Sequence, residues 1–230
     1  MDINWEKLEI VESDLVTYTA IFGKYDELKN IETNPKNMKL VCFTDRKIRH
    51  PGNWQIIYVQ NHPFKNARIA AKFFKLKPHI FFPKIEKSIW IDGSIKIFND
   101  DFFNYARNHL LSSNFSVCRH PGNSNIKQEA AASQEMSKYR NLSLQKQVDF
   151  YKYLGFPDDL GLWAGGLIFR NHNEPKIVEF MDSWWDENLV WGYQDQISLP
   201  FIAWKKNLTP KTIDLNIWKN EFFEWVAHKK

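Results

Sequence analysis

Short apolar runs separated by polar turns dominate the first half of the chain. These runs are rich in β-branched and aromatic residues, which favour strands buried on both faces of a sheet. They cover residues 15–22, 39–45, 54–59, 89–91 and 115–118. A later run at 162–170 contains Gly165 and Gly166, where a ligand or another backbone segment is expected to approach closely. Strands at this spacing, separated by turns and polar segments, predict an open α/β sheet.

A helical pattern follows Asn66, whose side chain is suited to an N-cap. The pattern covers residues 67–76 and ends before Pro78. Three cations, Arg68, Lys72 and Lys75, recur at positions i, i+4 and i+7 and therefore share one face of this helix. Two interpretations stay open: a solvated basic face, or a cationic row that faces a diphosphate.

The rest of the chain predicts further helices and a single domain. Helices are expected at 100–111, at 126–153 with a break near Asn141, from Glu174-Pro175 onward, and from Tyr193 onward. No repeat or flexible linker divides the sequence. The prediction is one domain over residues 1–230, with a core at about 15–204 and an aromatic, basic tail at 205–230.

A carboxylate follows the most apolar of these runs. Asp92-Gly93-Ser94 comes directly after 89–91, and Asp45 ends the run at 39–45. Such an Asp either caps a turn or points into the crevice at the carboxyl edge of the sheet, where α/β folds bind ligands. The residues alone leave both alternatives open.

Composition narrows the class of protein. The net charge of +4 is spread along the chain, so no concentrated basic arm indicates a dedicated nucleic-acid binder. Cys42 and Cys118 lie inside predicted strands and are interpreted as buried free thiols of a reducing compartment. Neither a signal-peptide pattern nor an apolar run of membrane-spanning length occurs, so the chain is expected to be cytoplasmic.

Strand-end acids together with a basic helix suit a phosphorylated, metal-chelated ligand such as a nucleotide sugar. The sequence contains no Walker-type Gly-rich loop and no Gly-x-Ser-x-Gly elbow. Neither cysteine has a histidine as its sequence neighbour. Kinase, ATPase and covalent hydrolase chemistry therefore has little support.

An ordered set of short motifs resembles a known family. The set comprises residues 18–26, Cys42-Phe-Thr-Asp45, Arg68-x3-Lys72-x6-His79, Ser88-Ile-Trp-Ile-Asp92, Arg119-His120, Glu129-Ala130, Gly166-Leu-Ile-Phe-Arg-x-His172, Trp184-Trp185 and Asp195-Gln196. It resembles the TOD1/MUCI70-type glycosyltransferase-like domain over residues 16–204. The resemblance implies a single-domain GT-A-like, Rossmann-like fold with a mixed sheet flanked by helices, and sugar transfer from a nucleotide donor.

The resemblance also implies roles for individual residues. The donor would be bound by Thr19, Ala20, Asp45, Arg68, Lys72, Asp92 and Gly93. Mn²⁺ or Mg²⁺ would be held by Asp92, Ser94 and His228, with Ser94 standing where GT-A enzymes usually have a second carboxylate. Asp195, as general base or acceptor-binding group, and His120 and Glu129, on the acceptor side, are the catalytic candidates. Two alternatives stay open: Asp195 is an acid at a helix N-terminus, and His120 and Glu129 are a structural polar pair. The family pattern has Arg where this chain has Gln194.

The predicted function is transfer of a sugar from a nucleoside-diphosphate donor, UDP-linked, to a glycan or other hydroxyl acceptor. The alternative is a weakened nucleotide- or glycan-binding module of the same fold, which Ser94 favours. Expected partners are the donor and a carbohydrate acceptor, with no nucleic acid and no membrane span.

Overall fold

The computed structural model describes residues 4–5, 13–24, 26–31, 35 and 38–226. Within them lies an eight-stranded sheet with the strand order β1-β4-β3-β2-β5-β8-β7-β9, and a small sheet pairs β10 with β6. The strands are β1 (Asn4–Trp5), β2 (Leu15–Ile21), β3 (Met38–Thr44), β4 (Gln55–Asn61), β5 (Lys87–Ile91), β6 (Ile95–Ile97), β7 (Phe115–Arg119), β8 (Trp163–Asn171), β9 (Lys211–Ile213) and β10 (Phe223–Trp225).

The large sheet is mixed in direction. β4, β3, β2 and β5 are parallel neighbours, whereas β8 runs antiparallel to both β5 and β7. β5 and β7 therefore point the same way, and the carboxyl ends of β2, β3, β5 and β7 meet at one edge of the sheet. The predicted α/β class with a mixed sheet flanked by helices is confirmed.

Seven α-helices cover the two faces of the sheet in the described part of the chain. They are α1 (Ala67–Leu76), α2 (Pro78–Phe81), α3 (Asp101–Leu110), α4 (Ile126–Gln134), α5 (Leu144–Tyr153), α6 (Pro175–Trp191) and α7 (Asp195–Lys205). Helices α1, α4, α5, α6 and α7 contribute to one apolar core, and α3 packs with the small sheet in the other. Alternate residues along each strand enter the two cores, as a sheet covered on both faces requires.

Helix α1 begins and ends where the sequence predicts. Asn66 accepts a hydrogen bond from the Arg68 backbone N–H at 2.8 Å and so caps the helix. The predicted helical region 126–153 is divided into α4 and α5 by a 3-10 turn at Ser137–Tyr139. Both cysteines are buried free thiols, and burial raises the pKa of each to about 12.

The C-terminal region is more integrated than the predicted tail. β9 pairs in parallel with β7, and β10 pairs with β6, so residues beyond 204 extend the large sheet and build the small one. His228 lies outside the described residues. Within the part of the chain that the structure covers, no helix has the length and apolar character needed to cross a membrane.

Candidate functional site

A cleft opens at the carboxyl edge of the sheet, between the ends of β2 and β5, helix α1 and the segment before α7. The cleft encloses about 720 Å³, a volume that includes space open to solvent at its mouth. The lining includes Ala20, Asp26, Arg68, Lys72, Asp92, Gly93, Lys138 and Tyr193. Four of the predicted donor-site residues beyond Asp92 therefore share one cleft with it: Ala20, Arg68, Lys72 and Gly93.

Two lysines of α1 converge on one buried carboxylate oxygen at the floor of this cleft. The ammonium of Lys75 lies 2.5 Å from Asp195 Oδ2, and that of Lys72 lies 2.7 Å from the same atom. The Lys75 side chain is 1% exposed and that of Lys72 is 18% exposed. The cationic row of α1 therefore faces inward at these two positions, and the solvated-face interpretation is wrong for them.

Burial and ion pairing oppose each other in this cluster. Burial alone would raise the pKa of Asp195, but Lys72 and Lys75 outweigh burial and hold that pKa well below its usual range. Burial works to lower the pKa of Lys72, yet the charges of Asp195 and Asp92 leave it raised. Lys75 differs, because burial exceeds the attraction of Asp195 and lowers its pKa. The Asp195 carboxylate is thus firmly ionised at neutral pH.

Asp92 is held beside this cluster at the end of β5. The indole N–H of Trp90 donates to Asp92 Oδ1 at 2.8 Å, and Lys75 Nζ lies 3.9 Å from the same oxygen. The side chain of Asp92 keeps 41% exposure, so its carboxylate is fixed on one side and open to the cleft on the other. Of the two readings that the sequence left open, the structure shows a cleft carboxylate.

The two glycines of β8 make room for these side chains. A Cβ on Gly165 would lie 2.9 Å from Lys75 Nζ, and a Cβ on Gly166 would lie 3.3 Å from Asp92 Oδ2. The close approach that the sequence indicated at this strand is real, but the approaching groups are side chains of the protein: Lys75 at Gly165, and Ile217 and Asp92 at Gly166.

Hydrogen bonds from Tyr18 and Arg170 fix the C-terminus of α1. The Tyr18 hydroxyl donates to the Lys75 carbonyl at 2.9 Å, and the Arg170 guanidinium donates to the same carbonyl at 2.6 Å. Arg170 also donates to Tyr18 Oη and to Ser88 Oγ. These buried contacts fix the backbone from which the Lys75 ammonium reaches Asp195.

Glu129 lies in a separate polar cluster at the end of β7. Its carboxylate accepts hydrogen bonds from side chains of four residues, at 2.7 to 3.0 Å: Asn123, Ser133, Gln194 and Gln196. Gln194, where the family pattern has Arg, therefore joins the start of α7 to α4. The sequence left a polar pair of His120 and Glu129 open as an alternative, but it did not indicate Gln194 or Gln196 as donors, because they lie 65 and 67 positions away.

His120 is held against Glu129. Its Nδ1 accepts the backbone N–H groups of Gly122 and Asn123, so Nε2 carries the proton and faces Glu129 Oε2 at 3.3 Å. Burial lowers the pKa of His120 against the opposing effect of Glu129, which leaves the ring neutral at pH 7. Both ring nitrogens are engaged, and a catalytic role for His120 or Glu129 stays a prediction.

Two predicted donor residues lie away from the cleft lining. Asp45 is exposed and accepts the Gly23 N–H with both oxygens, at 2.9 and 3.1 Å, which is the turn-cap arrangement. Thr19 is 1% exposed on β2, and its hydroxyl has no hydrogen-bond partner within the described structure. A ribose contact by either residue stays a prediction.

The structure describes two of the three predicted metal ligands, Asp92 and Ser94, and a metal site formed by all three stays a prediction. Ser94 is 2% exposed and does not line the cleft, and its carbonyl accepts the Val226 N–H at 2.7 Å. His228 is outside the description. Across the described ranges, no three His, Cys, Asp or Glu side chains are grouped as metal ligands would be.

Sequence reasoning gave no role to several polar residues of the cleft and its floor. Lys75 was counted in the cationic row but given no role, although it touches Asp195. Asp26 and Lys138 line the cleft, and Tyr193 packs its ring against Arg68 with 5.2 Å from guanidinium carbon to ring centroid. Asp26 falls within the motif at 18–26, so that motif was the available signal.

The fold and the site define a class: an α/β protein with a cleft at the carboxyl edge of its sheet, lined by cations and a fixed carboxylate. The sequence model of the family described as TOD1/MUCI70, glycosyltransferase-like domain, matches residues 2–230. The chain belongs to this family.

One protein of similar sequence is named as a probable hexosyltransferase. The chain is 28% identical over 214 residues to the probable hexosyltransferase MUCI70 of Arabidopsis thaliana, an alignment that covers 80% of this chain and 36% of that protein. It therefore matches little more than a third of that relative's length.

Two solved structures are similar at 13% identity. Mouse xyloside xylosyltransferase 1 in its apo form matches with a TM-score of 0.48, covering 89% of this chain and 86% of that one. The apo WbbM bifunctional glycosyltransferase matches with a TM-score of 0.45, covering 85% of this chain and 38% of that one.

Proposed function

We propose that this protein is a glycosyltransferase that takes a sugar from a nucleoside diphosphate, UDP in particular, and passes it to a hydroxyl group of a glycan. Membership of a glycosyltransferase-like family supports the reaction class. One observation carries the donor assignment. Arg68 and Lys72 line the same cleft as the open carboxylate of Asp92, so cations for a diphosphate lie beside an acceptor for sugar or ribose hydroxyls.

The roles follow from position. Arg68 and Lys72 bind the diphosphate and stabilise negative charge on the leaving group. Asp92, held by the Trp90 indole, accepts hydrogen bonds from hydroxyls of the ribose or the sugar. Ala20 and Gly93 present little side chain at the ends of β2 and β5, so a flat base or sugar fits against the backbone there.

Asp195 contributes by holding Lys72 and Lys75 in position. A general base needs a pKa near the working pH and access to the hydroxyl that it deprotonates. The pKa of Asp195 is held low, and its side chain is 5% exposed between two ammonium groups. These properties make it a weak base, and we assign it to positioning Lys72 and Lys75.

A thermal shift series with nucleoside diphosphates, in buffer with Mn²⁺, tests donor binding. A ligand that binds only the folded state raises the melting temperature by an amount that grows with the logarithm of its concentration relative to its Kd. We expect UDP to raise it by several degrees at about 100 times its Kd, and nucleosides without phosphates to give little change. No shift with any nucleoside diphosphate would contradict the donor-site proposal.

A second candidate is a binding module that keeps the cleft without transfer. The observation that favours it is Ser94, which replaces a usual carboxylate and is buried away from the cleft. Both candidates predict binding of UDP. Only the transferase predicts that UDP is released from a UDP-sugar.

A further inference from the structure

A divalent metal fits the observed cleft poorly. Of the two predicted ligands that lie within the described residues, Asp92 lines the cleft and Ser94 is buried. Mg²⁺ in proteins is usually held by one or two carboxylates together with substrate phosphates and waters, and Asp92 supplies one carboxylate. One oxygen of Asp92 is already occupied, because it accepts the Trp90 indole N–H and faces the Lys75 ammonium at 3.9 Å.

The charges around Asp92 also oppose a metal ion. Asp92 favours the charged form of both Lys72 and Lys75, although burial still leaves the pKa of Lys75 lowered. A divalent cation on Asp92 would have two ammonium groups as neighbours in a partly desolvated site, where like charges repel more strongly than in water.

A second carboxylate does lie nearby. Asp26 lines the cleft, and its Oδ2 would be 3.1 Å from a Cβ on Gly93. The described cleft and its floor hold three carboxylates when Asp26 is included, the other two being Asp92 and Asp195. The positively charged side chains there number four: Arg68, Lys72, Lys75 and Lys138. The site is therefore net positive before any ligand enters, as a site for an anion should be.

The two lysines are not equivalent. Lys75 is 1% exposed and lies 5.8 Å from the ring centroids of both Trp90 and Trp184, so it is fixed in place. Lys72 is 18% exposed and lines the cleft. Because a lysine ammonium has three N–H donors, Lys72 can donate to an anion in the cleft while it keeps its contact with Asp195.

We propose that the cleft binds the diphosphate of its nucleotide without a divalent metal, with Lys72 and Arg68 as its ligands and the buried Lys75–Asp195 pair holding Lys72 in position. This inference rests on the proposed function, and it replaces the metal of the predicted mechanism with a cation of the chain itself.

Calorimetric titration with UDP tests it in two buffers, one with excess EDTA and one with Mn²⁺. We expect binding in EDTA with a Kd within about threefold of the Mn²⁺ value. Lys72→Met should weaken binding in EDTA at least tenfold, as loss of one charge-assisted contact implies. Lys72→Arg should retain most of the affinity.

Lys127→Met is the matched control, because Lys127 is an exposed lysine on α4 away from the cleft lining. It should leave the Kd unchanged, and far-UV circular dichroism checks that each variant is folded. Binding that requires Mn²⁺ would overturn the metal-free site while leaving the proposed function intact. Equal Kd values for Lys72→Met and the control would also overturn it. No binding in either buffer would overturn the proposed function itself.

Discussion

At the scale of single residues, the site depends on a carboxylate that two lysines share. Asp195 Oδ2 contacts Lys75 at 2.5 Å and Lys72 at 2.7 Å, and the Asp195 backbone carbonyl accepts the Trp184 indole N–H at 3.1 Å. Removing the charge of Asp195 leaves two neighbouring ammonium groups, one of them fully buried. Asp195 therefore matters for stability as well as for ligand binding.

Asp195→Asn should cost about 3–5 kcal/mol of unfolding free energy at pH 7, the usual cost of breaking a buried ion pair. The folded pKa of Asp195 lies below its unfolded value, so its contribution is complete above the unfolded pKa, near 3.8, and is lost as pH falls through the folded pKa. The difference between wild type and variant should be smaller by about 1 kcal/mol at pH 3 than at pH 5. Urea unfolding of both proteins at each pH measures this difference in the free energy of unfolding.

Asp158→Asn is the control for this prediction. Asp158 pairs with Lys152 at 3.5 Å, and both side chains are at least half exposed. An exposed pair of this kind contributes at most about 1 kcal/mol. An Asp195→Asn cost as small as that of the control would contradict the role assigned to the buried cluster.

At the scale of elements, three segments assemble the cleft. Helix α1 supplies Arg68, Lys72 and Lys75, β5 supplies Asp92, and α7 begins with Asp195. The start of α7 is held through Gln194 and Gln196, which both donate to Glu129 Oε1. The Glu129 cluster therefore fixes the residue that lies between these two glutamines.

Strand β8 has a glycine, Gly165, at a position where a side chain would meet the Lys75 ammonium. A methyl group at Gly165 would lie 2.9 Å from Lys75 Nζ and 3.4 Å from Asp195 Oδ2, so Gly165→Ala should displace the Lys75 ammonium. We expect a loss of about 1–3 kcal/mol in stability and weaker UDP binding in calorimetry. Gly122→Ala is the control, since its methyl group would meet ordinary contacts of 3.7 Å or more. Unchanged UDP affinity in Gly165→Ala would show that the position of Lys75 does not control the cleft.

Local sequence signals predicted most of the helix and strands that form the cleft. Asn66 and Pro78 bracket α1, and the runs at 15–22 and 89–91 mark β2 and the end of β5. Spacing also placed Arg68, Lys72 and Lys75 on one face, because that depends only on helix geometry. Whether this face meets solvent or a carboxylate depends on α7, more than 100 residues further along, and no local pattern carries that information.

At the scale of the whole molecule, the described residues form one large mixed sheet, and the carboxyl ends of β2, β3, β5 and β7 lie at one edge of it. Parallel order brings Ala20, Asp92 and His120 to that edge although they are far apart in sequence. The sequence predicted the edge as the place for a ligand. It did not predict that the C-terminal residues would join the sheet through β9, because that short strand carries no distinct pattern.

The central claim is that Asp92 and the cations beside it form the donor site of a transferase. The most direct test is to measure UDP released from a panel of UDP-sugars by the purified protein and by its Asp92→Asn variant. We predict release from at least one UDP-sugar by the wild type, and a rate at least about 100-fold lower in the variant, as expected when a group that interacts with the transition state loses its charge. No release above the buffer rate from any UDP-sugar, or equal rates for the two proteins, would contradict this account.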